Sequence, residues 1–250
     1  MKNVSVKQRL SHVIAIFCCC LLLVGCKKIK KSDAEYEREQ WIEGFADSIA
    51  FYQGKTREVE SELEKNNHEI GTLLENFGKV SNPREVTGYY LLNGWQSKLP
   101  LTSTGIYARI NENEKLELIA TLAGATFNRI GVGDGNEEYK SNVVPHDQAF
   151  NYRHQKYNTV YFSGGKADTI AEYISRHHDD KVVLQFIEGD KSKNFAIPED
   201  ERAMIHKTWL LYSLQLTNQK LQRELWICSR KIDTFRRIMD ENSTKDEALQ

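Results

Sequence analysis

Between Ile42 and Phe77 apolar side chains recur at alternating steps of three and four: Ile42, Phe45, Ile49, Tyr52, Val59, Leu63, Ile70, Leu73 and Phe77, with only Thr56 and Asn66 polar in the series. A stripe this narrow and this regular is buried only if another helix runs along it. The same stepping returns near the other end, through Met204, Lys207, Leu211, Leu214, Asn218, Leu221, Leu225, Cys228, Ile232, Phe235 and Met239. Two seams of matched length in one chain predict an antiparallel pair. With Asn66 opposite Asn218, Leu63 meets Leu221, Val59 meets Leu225, Thr56 meets Cys228, Tyr52 meets Ile232 and Ile49 meets Phe235. An asparagine pair within such a seam lowers stability but sets register, because a slip leaves an amide unpaired among leucines.

The helix ends carry their own signals. Ser32 with Glu35 has capping-box spacing, and no proline follows before Phe77. Pro198 suits a first helical turn, and Glu199, Asp200 and Glu201 suit the positive end of the helix dipole. Between the helices the pattern changes to short β-type runs, at 86–92, 105–111, 115–122, 126–132, 159–163 and 181–187, with one helix at 167–176. Asn111-Glu-Asn-Glu114 and Gly133-Asp-Gly-Asn136 read as turns. The expected fold class is therefore α+β: a long antiparallel coiled-coil hairpin made by the N- and C-terminal helices, with a β-rich head inserted between them. The boundaries are 35–78 for the first helix, 84–197 for the head, 198–241 for the second helix and 242–250 for a disordered tail. The paired seams would reach on the order of 50 Å at ~1.5 Å per residue.

The first residues obey different rules. Lys2, Lys7, Arg9 and His12 precede a continuous apolar run at 13–23, the two parts of an export leader. Eleven residues at ~1.5 Å each cover about half of a ~30 Å hydrocarbon core, too little to span it. The sequence that follows, Leu23-Val24-Gly25-Cys26, resembles the lipobox of bacterial lipoproteins, over residues 1 to about 28. The resemblance implies a signal peptide at 1–25, cleavage between Gly25 and Cys26, and fatty acylation of Cys26, which begins an anchor and linker at 26–34. No other cofactor is expected. Two or more acyl chains, at ~0.8 kcal/mol per buried methylene, hold a protein at a bilayer where one exchanges. Lys27 stands where an aspartate would mark inner-membrane retention in that family, so the resemblance favours the outer membrane and the periplasmic face.

Charge and cysteine usage follow from this division. Loss of Lys2, Lys7 and Arg9 moves the formal charge from -1 to about -4, no footprint of a nucleic-acid binder. Of five cysteines only Cys228 lies beyond residue 26, so the mature chain has no disulfide framework.

Motifs that could carry chemistry are sparse. GVGDG lacks dinucleotide-loop spacing, and the Asp134 to Pro145 stretch fails as a calcium loop at its sixth and twelfth positions. SGGKAD at 163–168 turns a strand into a helix and has free amides suited to an anion. His146, His154, His177 and His178, with Asp147, Asp179 and Asp180, are candidate metal or acid-base groups if folding gathers three of them at one point. Tyr89, Tyr90 and Trp95 with Tyr152, Tyr157 and Tyr161 are candidates for a ligand groove. Three functions survive. The favoured one is a non-catalytic, lipid-anchored interaction or scaffold protein docking onto another envelope protein or glycan. The others are a head that binds a small ligand or glycan and a metal-assisted hydrolase.

Overall fold

The computed structural model describes residues 33–81, 87–134 and 137–247. Gly25, Cys26 and the Ser32 cap lie outside these residues. The described chain is α+β, with two antiparallel sheets and three α-helices. Helix α1 is Asp33–Leu74, α2 is Gly165–Arg176 and α3 is Glu199–Glu247. The strands are β1 Phe77–Val80, β2 Tyr89–Leu92, β3 Gly105–Asn111, β4 Leu116–Ala123, β5 Arg129–Gly133, β6 Glu138–Lys140, β7 Asn151–His154, β8 Tyr157–Ser163, β9 Val183–Glu188 and β10 Lys191–Ala196. One sheet has the order β1-β2-β3-β4-β8-β7 and the other β10-β9-β5-β6.

The chain divides into two compact units, one of Gln53–Arg230 and one formed by the chain on either side of it. In each, a stretch of α1 packs against a stretch of α3. Within the outer unit Phe235 lies 5.4 Å from Phe45 and 6.0 Å from Tyr52, ring centre to ring centre. Within the inner unit Asn66 Nδ2 donates to Asn218 Oδ1 at 2.5 Å, and Lys55 meets Glu224 at 2.6 Å. Val59, Leu221 and Cys228 are buried there.

The inner unit's core forms because strand alternation sends apolar side chains to one face. Ile106, Ala108 and Ile110 stand beside Ala120, Leu118 and Leu116 of β4, and Leu118 and Ala120 beside Phe162 and Val160 of β8. All of these are buried. Each large aliphatic in this layer contributes about 2–3 kcal/mol on leaving water. Phe127 joins the layers, edge-on to Phe186 of the second sheet at 4.7 Å and 6.3 Å from Phe162 of the first. Helix α2 buries Ala167, Ile170, Ala171 and Ile174, the helical spacing of one face, and touches strands of both sheets. It starts after Gly164, whose φ of 84° suits a residue without Cβ, and the Gly164 carbonyl accepts from the amides of Ala167 and Asp168.

The start of α3 completes the larger sheet. Among the described residues, strand β2 pairs with β3 only at Tyr89–Asn111 and Tyr90–Ile110, and no strand neighbours the amides of Ile106 and Ala108 on that side. Glu201 Oε2 accepts from Ile106 N at 2.9 Å, and Met204 Sδ from Ala108 N at 3.4 Å. Gly105 allows the approach: a Cβ there would lie 2.5 Å from Glu201 Oε1.

Several boundaries differ from those read in sequence. Helix α1 stops at Leu74, where Asn76 N and Nδ2 both bond the Leu73 carbonyl, and Phe77 opens β1 instead of extending the seam. The 126–132 run becomes a strand only from Arg129, because Asn158 Oδ1 takes the Phe127 amide at 2.8 Å. Helix α3 continues to Glu247, past the expected 241 boundary, since nothing in that polar stretch breaks a helix already nucleated. Strands β1, β6, β7 and β10 had no apolar alternation to announce them. The 133–136 turn falls partly outside the described residues, but β5 and β6 pair on either side of it.

Candidate functional site

Within the Gln53–Arg230 unit a groove of about 310 Å³ opens along α3. Its first wall is a row of amides, Gln215, Asn218, Gln219 and Gln222. Their spacing of three, four and seven residues puts them on one helical face. The floor is apolar, from Ile70 and Leu74 of α1 and the ring of Tyr90 on β2. The second wall is the β3–β4 turn, with Asn111, Glu112 and Glu114.

That turn is held by its own side chains. Asn111 Oδ1 accepts from the amides of Asn113 at 3.0 Å and Lys115 at 3.1 Å. Glu114 takes φ 55°, a left-handed conformation costly for a residue with Cβ. In that position its Oε2 accepts from Gln219 Nε2 at 2.9 Å. Glu112 accepts from Gly88 N at 2.9 Å and pairs with Lys79 at 2.5 Å. The lysine and then that amide hold its carboxyl below the usual carboxylate value.

The amide row is unevenly satisfied. Asn218 is committed on both sides, accepting from Asn66 and donating to Asn67 Oδ1 at 2.6 Å, while Asn66 also donates to the Leu214 carbonyl at 2.9 Å. Gln215 Oε1 is buried and has no hydrogen-bond partner among the described residues.

The six aromatic candidates do not form one groove. Tyr89 and Tyr90 are consecutive in β2 and so point to opposite faces. Only Tyr90 lines the groove. Tyr89 and Tyr161 flank the buried Arg109 guanidinium, 4.1 Å and 5.3 Å from the ring centres, with Tyr152 6.3 Å beyond Tyr161. Arg109 is neutralised across the strand pair by Glu117 at 2.6 Å, and Asn111 Nδ2 donates to the other Glu117 oxygen at 3.0 Å. Burial raises the Tyr161 hydroxyl's pKa above its ordinary value. Trp95 is buried under Lys98, and Tyr157 donates to the Thr102 carbonyl at 2.6 Å.

The histidines are also dispersed. His146 sits in the loop before β7, within 3.1 Å of Asn151 and 3.4 Å of Glu188, and His154 ends β7. His177 and His178 follow α2. His177 lies 3.3 Å from Asp180, and His178 Nδ1 donates to the Ser175 carbonyl at 2.9 Å and approaches Asp179 at 3.5 Å. Asp147 accepts from the amides of Phe150, Asn151 and Ala149 instead, which keeps its carboxyl below the ordinary value. Among the described residues no three His, Cys, Asp or Glu side chains gather as a metal would require. The donor set posited for a metal-assisted hydrolase is therefore not brought together. One contact escaped the sequence reading: the ring of His206 on α3 stacks on His178 at 3.8 Å, with its Nδ1 2.9 Å from Ser175 Oγ. Burial, followed by His178, lowers the His206 pKa.

The groove's glutamines and the turn carboxylates were likewise not singled out from sequence. Gln215-x-x-Asn218-Gln219-x-x-Gln222 is the signal that was available, but on a helix surface it looks like ordinary solvated face. No family model, no curated protein and no solved structure matches this chain. No helix among the described residues is long and apolar enough to cross a membrane.

Proposed function

We propose that this chain is a lipid-anchored protein of a bacterial cell envelope that works by docking to other envelope components. The observation that carries the reading is Leu23-Val24-Gly25-Cys26 placed directly after a basic start and an eleven-residue apolar run. Acyl chains on Cys26 tether the mature protein to a bilayer, most simply the periplasmic face of the outer membrane, given Lys27. Lys27, Lys28, Lys30 and Lys31 then lie beside the leaflet, each worth about 1 kcal/mol next to anionic lipid.

The finer architecture belongs to the same proposal: α1 and α3 act as an antiparallel coiled-coil hairpin, and the β-rich region between them as an inserted head. The Asn66–Asn218 hydrogen bond and the position of Phe235 between Phe45 and Tyr52 support that reading. The partner is another envelope protein or a glycan, with no nucleic acid involved.

Replacing Cys26 with serine tests the anchor. Metabolic labelling with an alkynyl palmitate should mark the wild type and not Cys26→Ser, and the variant should leave the membrane fraction while keeping its circular dichroism spectrum. A native product that still carries residues 1–25, read by mass spectrometry, would sink the reading. Cross-linking in intact envelopes then identifies the docking partner.

A further inference from the structure

We propose that the outer unit pairs face to face with a second copy of itself, the two α1–α3 helix pairs lying side by side and pointing the same way. The inference adds self-association to the docking role and does not depend on the acyl anchor.

The helix pair of this unit has two unlike sides. Trp41, Gly44, Ser48 and Phe51 each precede a seam residue of α1 by one position, and Lys231, Thr234 and Ile238 do the same on α3. In an antiparallel pair of right-handed helices those positions share one side. The opposite side, one position after the seam, carries Glu43, Ala46, Ala50, Asp233, Arg236 and Asp240, a surface suited to water. On the first side the aromatic seam continues outward. Trp41 is edge-on to Phe45 at 4.5 Å and 39% exposed, and Phe51 is edge-on to Tyr52 at 5.2 Å and 65% exposed. Through Phe235, which lies near both Phe45 and Tyr52, the rings form one row that starts and ends in water.

Self-complementarity, charge and area select a second copy as the occupant. Because Phe235 lies between Phe45 and Tyr52, Ile238 stands one turn farther along the antiparallel helix, level with Gly44 and Ser48. A Cβ added at Gly44 would meet nothing within 4 Å, which leaves a hollow between Trp41 and Phe51. Ser48 Oγ already donates to the Gly44 carbonyl at 2.8 Å, so covering the hollow strands no donor. A two-fold axis along the helices sets the Ile238 of each copy into the hollow of the other, an isologous contact.

Charge decides which helices face one another. Over 36–52, α1 carries Glu37, Glu39, Glu43 and Asp47 against Arg38 alone, so it repels a second α1 and an anionic leaflet alike. Over 231–241, α3 balances Lys231, Arg236 and Arg237 against Asp233, Asp240 and Glu241. The two-fold along the helices places α1 opposite the second copy's α3, where Asp47 and Arg237 are level at the rim. In its own chain Arg237 lies 3.8 Å from Glu241, an exposed pair that leaves it available to a stronger partner. A face ~25 Å long and two helices wide would bury on the order of 1,000 Å² in all, the threshold of a weak specific interface.

Sedimentation velocity of the full chain, with reductant and in density-matched detergent, tests the pairing. The wild type should pass from monomer to dimer with a Kd of about 10–100 μM. Gly44→Lys blocks the hollow and should weaken association at least tenfold, with the thermal midpoint equal or higher because glycine is a poor helix former. Asp47→Arg or Arg237→Asp alone should weaken it about threefold, and the double exchange should restore it. Hydroxyl-radical footprinting should find Trp41 and Phe51 protected in the dimer. A chain monomeric at every concentration up to about ten times that Kd, or a dimer that a folded Gly44→Lys leaves unchanged, would overturn the proposal. So would protection of Trp41 and Phe51 that appears only when anionic vesicles are added, which would give this face to a bilayer.

Discussion

Glu201 should make this fold lose stability as pH rises from 4.5 to about 7. Its side chain is 7% exposed, sits against Gly105 and accepts the Ile106 amide, and burial pushes its pKa from 4.5 up to about 7. A carboxyl raised in the folded state is protonated there while the unfolded chain has already ionised. Its full stabilising contribution is therefore present below pH 4.5, declines between 4.5 and 7, and is gone above. At about 1.4 kcal/mol per unit the span corresponds to roughly 3 kcal/mol, or about 6–12 °C in Tm for a chain of this size. His206 works the other way, because its lowered pKa favours folding above its titration and costs stability below the ordinary histidine range. The difference between wild type and Glu201→Gln isolates the carboxyl, since the amide oxygen still accepts from Ile106. Urea titrations at half-unit steps from pH 4.5 to 8, read by circular dichroism and tryptophan fluorescence together, should show Glu201→Gln gaining about 2–3 kcal/mol on wild type across that range. A difference that stays flat with pH would refute the reasoning.

Other perturbations have equally local causes. Gly105→Ala puts a methyl 2.5 Å from Glu201 Oε1 and should cost about 1–3 kcal/mol in urea midpoint terms, with Glu201→Gln giving little relief because the clash is steric. Asn158→Leu removes the acceptor for Phe127 N and the donor to Asn151 Oδ1 and the Tyr152 carbonyl; with buried groups orphaned it should destabilise by about 2–4 kcal/mol, seen as a lower thermal midpoint. Asn66→Leu combined with Asn218→Leu should raise the midpoint by several degrees, because a part-buried amide pair gives way to apolar packing, while either single change should lower it.

Much of the helical framework was legible because helix formation and amphipathic spacing are local properties. The two seams, Pro198 with its acidic first turn, and the one-face spacing of Ala167, Ile170, Ala171 and Ile174 could all be read along the chain. The β3–β4 hairpin was equally clear, since Asn111-Glu-Asn-Glu114 separates two strongly apolar strands. Strand β10 was not. Its KSKNFA sequence has no alternation, and it is a strand because β9 offers it a ladder across a two-residue turn at Gly189 and Asp190; its exposed lysines then guard a sheet edge. Strand β7 likewise depends on Asn151, an asparagine buried because Asn158, Val144 and Phe127 supply its hydrogen bonds.

The groove shows the same division. The β3–β4 turn was read from the residue order, whereas the amide row of α3 was not singled out there, and Tyr89 and Tyr90, grouped as candidates for one groove, are parted by the alternation of β2. That Gln219 meets Glu114, that Tyr90 becomes a floor, and that Gln215 is left without a donor were decided by packing among segments more than a hundred residues apart. The same holds for Glu201, an ordinary first-turn acid by sequence whose burial arises because β2 is too short to cover β3. Periodicity records which face of an element is apolar, whereas the environment of a polar group depends on which distant backbone arrives beside it.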